Sequence, residues 1–207
     1  SSVSGEYTTR LTGGGHVYFT PSELHFSIVC PNSMLPDDLA DSYRKNNLPI
    51  ASALREIGIK AEAGRTSVKV DGKTLVVSAQ AKRNKATLHH GTILANINLR
   101  FFEDVLGATA EEKKYLQEVT FLKDLERNYA HKIDALCVKI IECVSEGNYF
   151  LGELTDEEFS SAKKLYDNVY RNKKIIHSGE KEAGICIVAG LLKEYGDYLA
   201  SNTSTIN

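Results

Sequence analysis

Thr66-Ser67-Val68-Lys69-Val70-Asp71-Gly72-Lys73-Thr74-Leu75-Val76-Val77-Ser78-Ala79-Gln80 is the stretch whose reading decides the fold. Asp-Gly between two β-branched runs is the strongest short-range hairpin signal, because both turn positions of a two-residue connection need positive φ. The spacing predicts strands over residues 66–70 and 73–80. Upstream, residues 16–19 and 24–30 read as two further strands joined at Thr20-Pro21-Ser22, where proline presets a turn and cannot donate to a ladder. Downstream, residues 81–86 form a basic loop and residues 88–99 a further strand. One helix interrupts this strand-rich half. Pro36-Asp37-Asp38 opens it, Ile50, Ala53, Leu54 and Ile57 recur at helical spacing, and Gly58 is the expected stop. Pro49 is expected to kink or divide that helix.

After Arg100 the pattern turns helical, over residues 101–106, 111–126 with an interruption near Val119-Thr120, 132–145 and 155–170. Thr155 followed by Glu158 predicts a capping box. Residues 185–199 read as a last helix and residues 201–207 as a frayed end. Neither an internal repeat nor a low-complexity block is present.

The 207 residues carry 25 Lys and Arg against 27 Asp and Glu, a formal net charge of -2. That balance removes the global basic field of a nucleic-acid binder, so nucleic acid is not an expected partner. No apolar run, residues 183–192 included, approaches the roughly 20 residues of a membrane-spanning helix. A membrane is not an expected partner either. Cys30, Cys137, Cys143 and Cys186 show neither a CxxC pair nor zinc-site spacing, so they read as buried free thiols of a reducing compartment. The expected localisation is the cytoplasm, or an organelle matrix. No metal centre is expected.

Two motifs invite chemistry. Arg10-Leu11-Thr12-Gly13-Gly14-Gly15 precedes a strand. Three glycines make either a tight turn or a place where missing Cβ atoms let backbone N–H groups approach an anion. No Gly-Lys-Ser/Thr follows, which excludes a Walker A loop, and a strand rather than a helix comes next, which excludes the dinucleotide fingerprint. The second motif, His89-His90-Gly91-Thr92, opens a strand after Lys82-Arg83-Asn84-Lys85. Neighbouring strand residues face opposite ways, so at most one of the two histidines lines a given site.

Together with Ser78-Ala79-Gln80 between them, these motifs resemble the lipoate-protein ligase A and octanoyltransferase branch of the biotin/lipoate ligase superfamily. The resemblance covers residues 5–172. It implies an α/β fold of α+β type, with a mixed, largely antiparallel sheet, flanking helices and a helical C-terminal part. Residues 1–126 would be the ligase-like core, 127–172 its helical completion and 173–207 a C-terminal helical extension. Arg10, Thr12, Gly13, Gly14 and Gly15 would hold the phosphate of an acyl-adenylate, and Val17 and Tyr18 would flank the acyl tunnel. Ser78 and Ala79 would stand beside it, and His89, Gly91 and Thr92 would line the opposite wall.

The chemistry implied is attachment of a lipoyl or octanoyl group to the lysine of a lipoyl-carrier domain. If the protein is a ligase, ATP and Mg2+ would serve as cofactors and lipoate as substrate, and otherwise no cofactor is implied. Lys82, Arg83 and Lys85 would dock an acidic carrier, the bland alternative being a solvated turn. The octanoyltransferases use a cysteine nucleophile, and none of the four cysteines stands beside a recognisable base.

The sequence departs from the resembled pattern in three places. Thr74 stands where the family has a hairpin lysine, Val77 replaces a glycine before Ser78, and Thr66-Ser67 falls where an Asn-Asp pair is expected. Losing one preorganised donor where charge develops costs on the order of 3–4 kcal/mol in barrier height. Lys73 or Lys69 would substitute only in a bulged or shifted hairpin. Nine residues precede Arg10, fewer than the family's preceding hairpin and helix need, so truncation, completion by a second subunit, or a site open on one side is expected. The contrary reading is a non-catalytic homologue or subunit that binds an acyl or adenylate ligand or an active partner.

Overall fold

The computed structural model describes residue 12 and residues 23–97, 113–114 and 116–170. The sequence-predicted strand at 16–19 and helices at 101–106 and 185–199 lie outside the described residues. Those described divide into two compact units, residues 23–97, 113–114 and 116–151 in one, residues 152–170 with residue 12 in the other.

In the first unit β1 (Leu24–Pro31), α1 (Leu39–Glu56), β2 (Ala61–Ala63), β3 (Ser67–Val70), β4 (Lys73–Lys82) and β5 (Ala86–Ile93) are followed by α2 (Leu122–Leu125) and α3 (Tyr129–Ser145). The sheet order is β1-β5-β4-β3-β2, with every pair of strands antiparallel. The β3–β4 turn forms as the sequence predicts, with Asp71 at φ 49° and Gly72 at φ 79°. Both turn residues are left-handed, the geometry that matches strand twist in a two-residue hairpin.

The hairpin is bulged. Val68 pairs with Val76, but the next pairs are Lys69 with Thr74 and Val70 with Lys73, so Leu75 is the extra residue. A bulge of this kind breaks the two-residue alternation of faces. That is why Thr74, Leu75 and Val76 are all buried in succession. Thr74 reaches the face of Val77 instead of that of Ser78, and its far side is covered by a parallel bridge to Val119.

The core lies between one sheet face and two helices. Ile50, Ala51, Ala53 and Leu54 of α1 and Leu136 and Ile140 of α3 pack with Val68, Val70, Leu75, Val76 and Ile93. Asp38 caps α1 by accepting the Asp41 N–H, and Gly58 follows its end at φ +96°.

The structure departs from the sequence reading in three places. First, α1 runs through Pro49 undivided. A proline inside a helix costs about 3 kcal/mol, whereas each large apolar side chain kept in the core contributes about 1.5–3 kcal/mol, and Ile50 and Leu54 beyond the proline are both fully buried. Second, β2 was not legible, because Ala-Glu-Ala carries no strand propensity. It forms by pairing with β3, and Arg55 Nη1 donates to the Ala61 carbonyl at 2.8 Å. Third, β5 ends at Ile93, well before residue 99. The buried Glu23 carboxylate accepts from the Ala95 and Asn96 N–H groups, and the start of α2 donates to the Leu94 and Ala95 carbonyls, so a side chain and a helix replace the ladder.

The second unit holds α4 (Asp156–Leu165), followed by a π-helical turn over Tyr166–Tyr170. The predicted capping box is present, Thr155 accepting from the Glu158 N–H and Glu158 from the Thr155 N–H.

Candidate functional site

Alternation along β5 sorts the His89-to-Thr92 motif onto two faces. His89 and Gly91 face α1. Gly91 leaves room for Phe26, for a Cβ at that position would lie 2.6 Å from the Phe26 ring and 2.6 Å from the Val77 carbonyl oxygen. The His89 ring is fully buried, 5.6 Å from Tyr43 in edge-on contact and 6.1 Å from Phe26.

A polar network joins α1 to the sheet around His89. Its Nδ1 is 3.2 Å from Gln80 Oε1 and its Nε2 is 3.2 Å from Asn47 Oδ1. Asn46 Nδ2 donates to Gln80 Oε1, Gln80 Nε2 donates to Ser42, and the Ser78 hydroxyl lies 3.1 Å from the Thr66 carbonyl oxygen and 3.3 Å from Asn47 Oδ1. Burial first, and then repulsion from neighbouring His90, pushes the His89 pKa down from 6.5 to about 4. A neutral imidazole donates through one nitrogen only, yet both nitrogens meet amide oxygens. The Asn47 Nδ2 atom is buried without a hydrogen-bond partner. A half-turn of that amide lets Nδ2 donate to His89 Nε2 while His89 Nδ1–H donates to Gln80, which gives each imidazole nitrogen a matched partner.

Thr92 faces the other way. Its Oγ1 is 2.9 Å from His25 Nδ1 on β1, and it pairs across the ladder with Val77. This second face carries the small apolar cluster of Leu94, Ile97 and Phe121, against which Val77 and Val119 pack. Alternation adds Ala79 and His90 to it. Lys69 emerges on the same face, between buried Val68 and Val70 that point to the core.

The residues derived from the resemblance therefore separate. Thr92, Ala79 and Thr74 share one face with Lys69. Ser78, His89 and Gly91 belong to the face under α1, and Lys73, opposite Val70 in the register, is exposed beside the turn. The bulge that brings Thr74 to the face of Thr92 has no sequence signal, since no glycine marks it. Thr12 is buried, whereas Arg10, Gly13, Gly14, Gly15, Val17 and Tyr18 lie outside the described residues. His25 and Glu23 were not singled out by sequence, because a lone histidine or glutamate in a strand run has no spacing to betray it.

The basic loop is a tighter turn than the sequence predicts, since β4 continues to Lys82 and β5 starts at Ala86. Asn32 donates from Nδ2 to the Arg83 carbonyl at 2.7 Å and accepts from the Thr87 hydroxyl at 2.8 Å. Lys82 meets Asp37 at 3.3 Å, and Arg83 and Lys85 are exposed. Burial raises the thiol pKa of Cys30, Cys137 and Cys143, so none of these three is an activated nucleophile. Among the described residues no three His, Cys, Asp or Glu side chains group to hold a metal ion, and no helix is long and apolar enough to cross a membrane.

Comparison with known proteins gives a consistent set of likenesses. The family model of the lipoyl protein ligase A/B catalytic domain matches residues 4–139. Lipoate–protein ligase 1 of Staphylococcus aureus is 29% identical over 177 residues, which cover 78% of this chain and 51% of that protein. The chain thus spans about half the length of that relative. A bi-partite lipoate protein ligase of Thermoplasma acidophilum, whose structural analysis includes its E2 lipoyl domain, superposes with a TM-score of 0.69 at 25% identity, over 81% of this chain and 69% of that one. A lipoate-protein ligase A bound with ATP shares the fold, with a TM-score of 0.66 at 24% identity, over 78% of this chain and 68% of that one.

Proposed function

The chain belongs to the lipoyl protein ligase A/B catalytic-domain family, and from that membership we propose that it binds an acyl-adenylate and passes its lipoyl or octanoyl group to the lysine of a lipoyl-carrier domain. The observation that carries this reading is the extent of the family match, which spans the Arg10-to-Gly15 motif, the five-stranded sheet of the described residues and the His89-to-Thr92 motif.

The reaction has two steps. A lipoate carboxylate oxygen attacks the α-phosphorus of ATP and pyrophosphate leaves. The carrier lysine amine then attacks the acyl carbonyl and AMP leaves. Negative charge gathers on the adenylate oxygens in both steps, so fixed donors are the chain's contribution. The backbone N–H groups of Gly13, Gly14 and Gly15 with Arg10 and Thr12 take the phosphate, and Val17 and Tyr18 flank the acyl chain. Thr92 and Ala79 form the wall, while His89, Gly91 and Ser78 hold that wall against α1. Magnesium would neutralise the nucleotide phosphates, and the described residues offer it no protein ligand set. Lys82, Arg83 and Lys85 form the docking edge for an acidic carrier. Free thiols at Cys30, Cys137 and Cys143 fit a reducing compartment such as the cytoplasm.

A second reading is a non-catalytic subunit completed by a partner chain. It is favoured by the buried threonine at position 74 and by the bi-partite organisation of the archaeal relative. Incubation with ATP, magnesium, lipoate and a lipoyl-carrier domain, followed by intact-mass measurement of the carrier, separates the two. Mass gain on the carrier lysine supports the ligase reading. Tight lipoyl-AMP binding without mass gain supports the subunit reading.

A further inference from the structure

Resting on the reading of the Thr92 face as an acyl-adenylate site, we propose that Lys69 supplies the positive charge that meets the adenylate phosphate from the sheet. Three observations converge on it. The bulge at Leu75 sets Lys69 directly across the ladder from Thr74, on the face of Val77 and Thr92. Among the described strands Lys69 is the one lysine or arginine on that face. Lys73 stands opposite core-facing Val70 beside the turn, and Lys82 turns to Asp37 ahead of α1.

Among the described residues the Lys69 ammonium, unlike those of Lys82, Lys132 and Lys139, forms no ion pair, although Glu62 is its cross-strand neighbour on β2. A cation held on a paired strand with no partner of its own is available to an anionic ligand. Its four-carbon stem spans more than the roughly 4.8 Å between neighbouring strands, so the charge can stand over Thr74 or beside Val77. The fold in turn fixes the stem's root, because Val68 and Val70 on either side are locked into the core.

The test is equilibrium titration of the whole chain with lipoyl-AMP at two salt concentrations, for the wild type, Lys69→Met, Lys69→Arg and the control Lys60→Met, which removes an exposed lysine next to β2. A charge-assisted contact is worth about 1.5–3 kcal/mol, so Lys69→Met should weaken lipoyl-AMP roughly 10- to 100-fold and flatten the salt dependence. Lys69→Arg should keep most of the affinity, and Lys60→Met should stay within about twofold of wild type. Thermal unfolding of Lys69→Met should match the wild type, since the side chain is exposed. Lipoyl-AMP affinity within about twofold of wild type in Lys69→Met, or an equal loss in Lys60→Met, overturns the role of Lys69 and leaves the adenylate reading standing. A wild-type chain that does not bind lipoyl-AMP overturns the adenylate reading itself, and this inference with it.

Discussion

His89 Nε2 and Asn47 Oδ1 lie 3.2 Å apart in the solvent-free seam between β5 and α1. The contact joins the strand that carries Thr92 on its far side to the helix that fills the core. A histidine held neutral there makes the seam sensitive to acid. The folded-state pKa is about 4 against 6.5 for an ordinary histidine, so the unfolded chain binds the proton first as pH falls. Stability is fully present above pH 6.5 and is lost progressively down to about 4, by about 3 kcal/mol. Urea unfolding at intervals between pH 7 and pH 4 should show that slope, and His89→Gln should flatten it while lowering stability at pH 7 by about 1–3 kcal/mol.

The tautomer is a separate expectation. Nitrogen-15 NMR of labelled protein at pH 7 should show His89 as the neutral Nδ1–H form, with Nε2 unprotonated. An imidazolium at that pH would mean that both amide oxygens accept from the ring as they stand.

Gly91→Ala should destabilise the chain by about 1–3 kcal/mol, since the new methyl would press on the Phe26 ring and the Val77 carbonyl. Phe26→Leu removes only one of those two obstacles. The double variant should therefore recover part of the loss, measured by chemical denaturation, whereas full recovery would place the whole conflict at the ring.

Asn32→Ala should cost about 1–2 kcal/mol and loosen the β4–β5 turn, because Asn32 holds the Arg83 carbonyl and the Thr87 hydroxyl together. Faster hydrogen exchange of the Arg83 amide, whose N–H donates to the Ala86 carbonyl, is the readout. Unchanged exchange there would make the asparagine a bystander.

The basic turn makes a kinetic claim. Replacing Lys82, Arg83 and Lys85 with alanine should slow association with a lipoyl-carrier domain and flatten its salt dependence, with lipoyl-AMP affinity unchanged. The Lys82–Asp37 pair is exposed, so its loss should hardly affect stability. Stopped-flow association rates at low and moderate salt decide this, and identical salt slopes for the two proteins would leave the turn a solvated one.

How far the sequence could be read follows the range of each signal. Asp71-Gly72, Thr155 with Glu158, and Ile50 with Leu54 act within one or two turns of chain, and each formed where its local chemistry predicts. What escaped depends on residues distant in sequence. The end of β5 is set by Glu23, more than seventy positions away. The passage of α1 through Pro49 is decided by the core that Leu136 and Ile140 complete. The place of Thr74 on the face of Thr92 depends on one extra residue, Leu75, since alternation alone would have placed it with Ser78. Arg10 and the triple glycine, the most telling motif in the sequence, lie outside the described residues, so their role rests on sequence and family.

Calorimetric titration of the chain with lipoyl-AMP, run beside AMP and free lipoate, tests the acyl-adenylate site most directly. Saturable one-to-one binding of lipoyl-AMP, far tighter than that of either half, is the predicted result, because the proposed phosphate cradle and acyl wall would act on one molecule. No lipoyl-AMP binding, or an affinity equal to that of AMP alone, would contradict it.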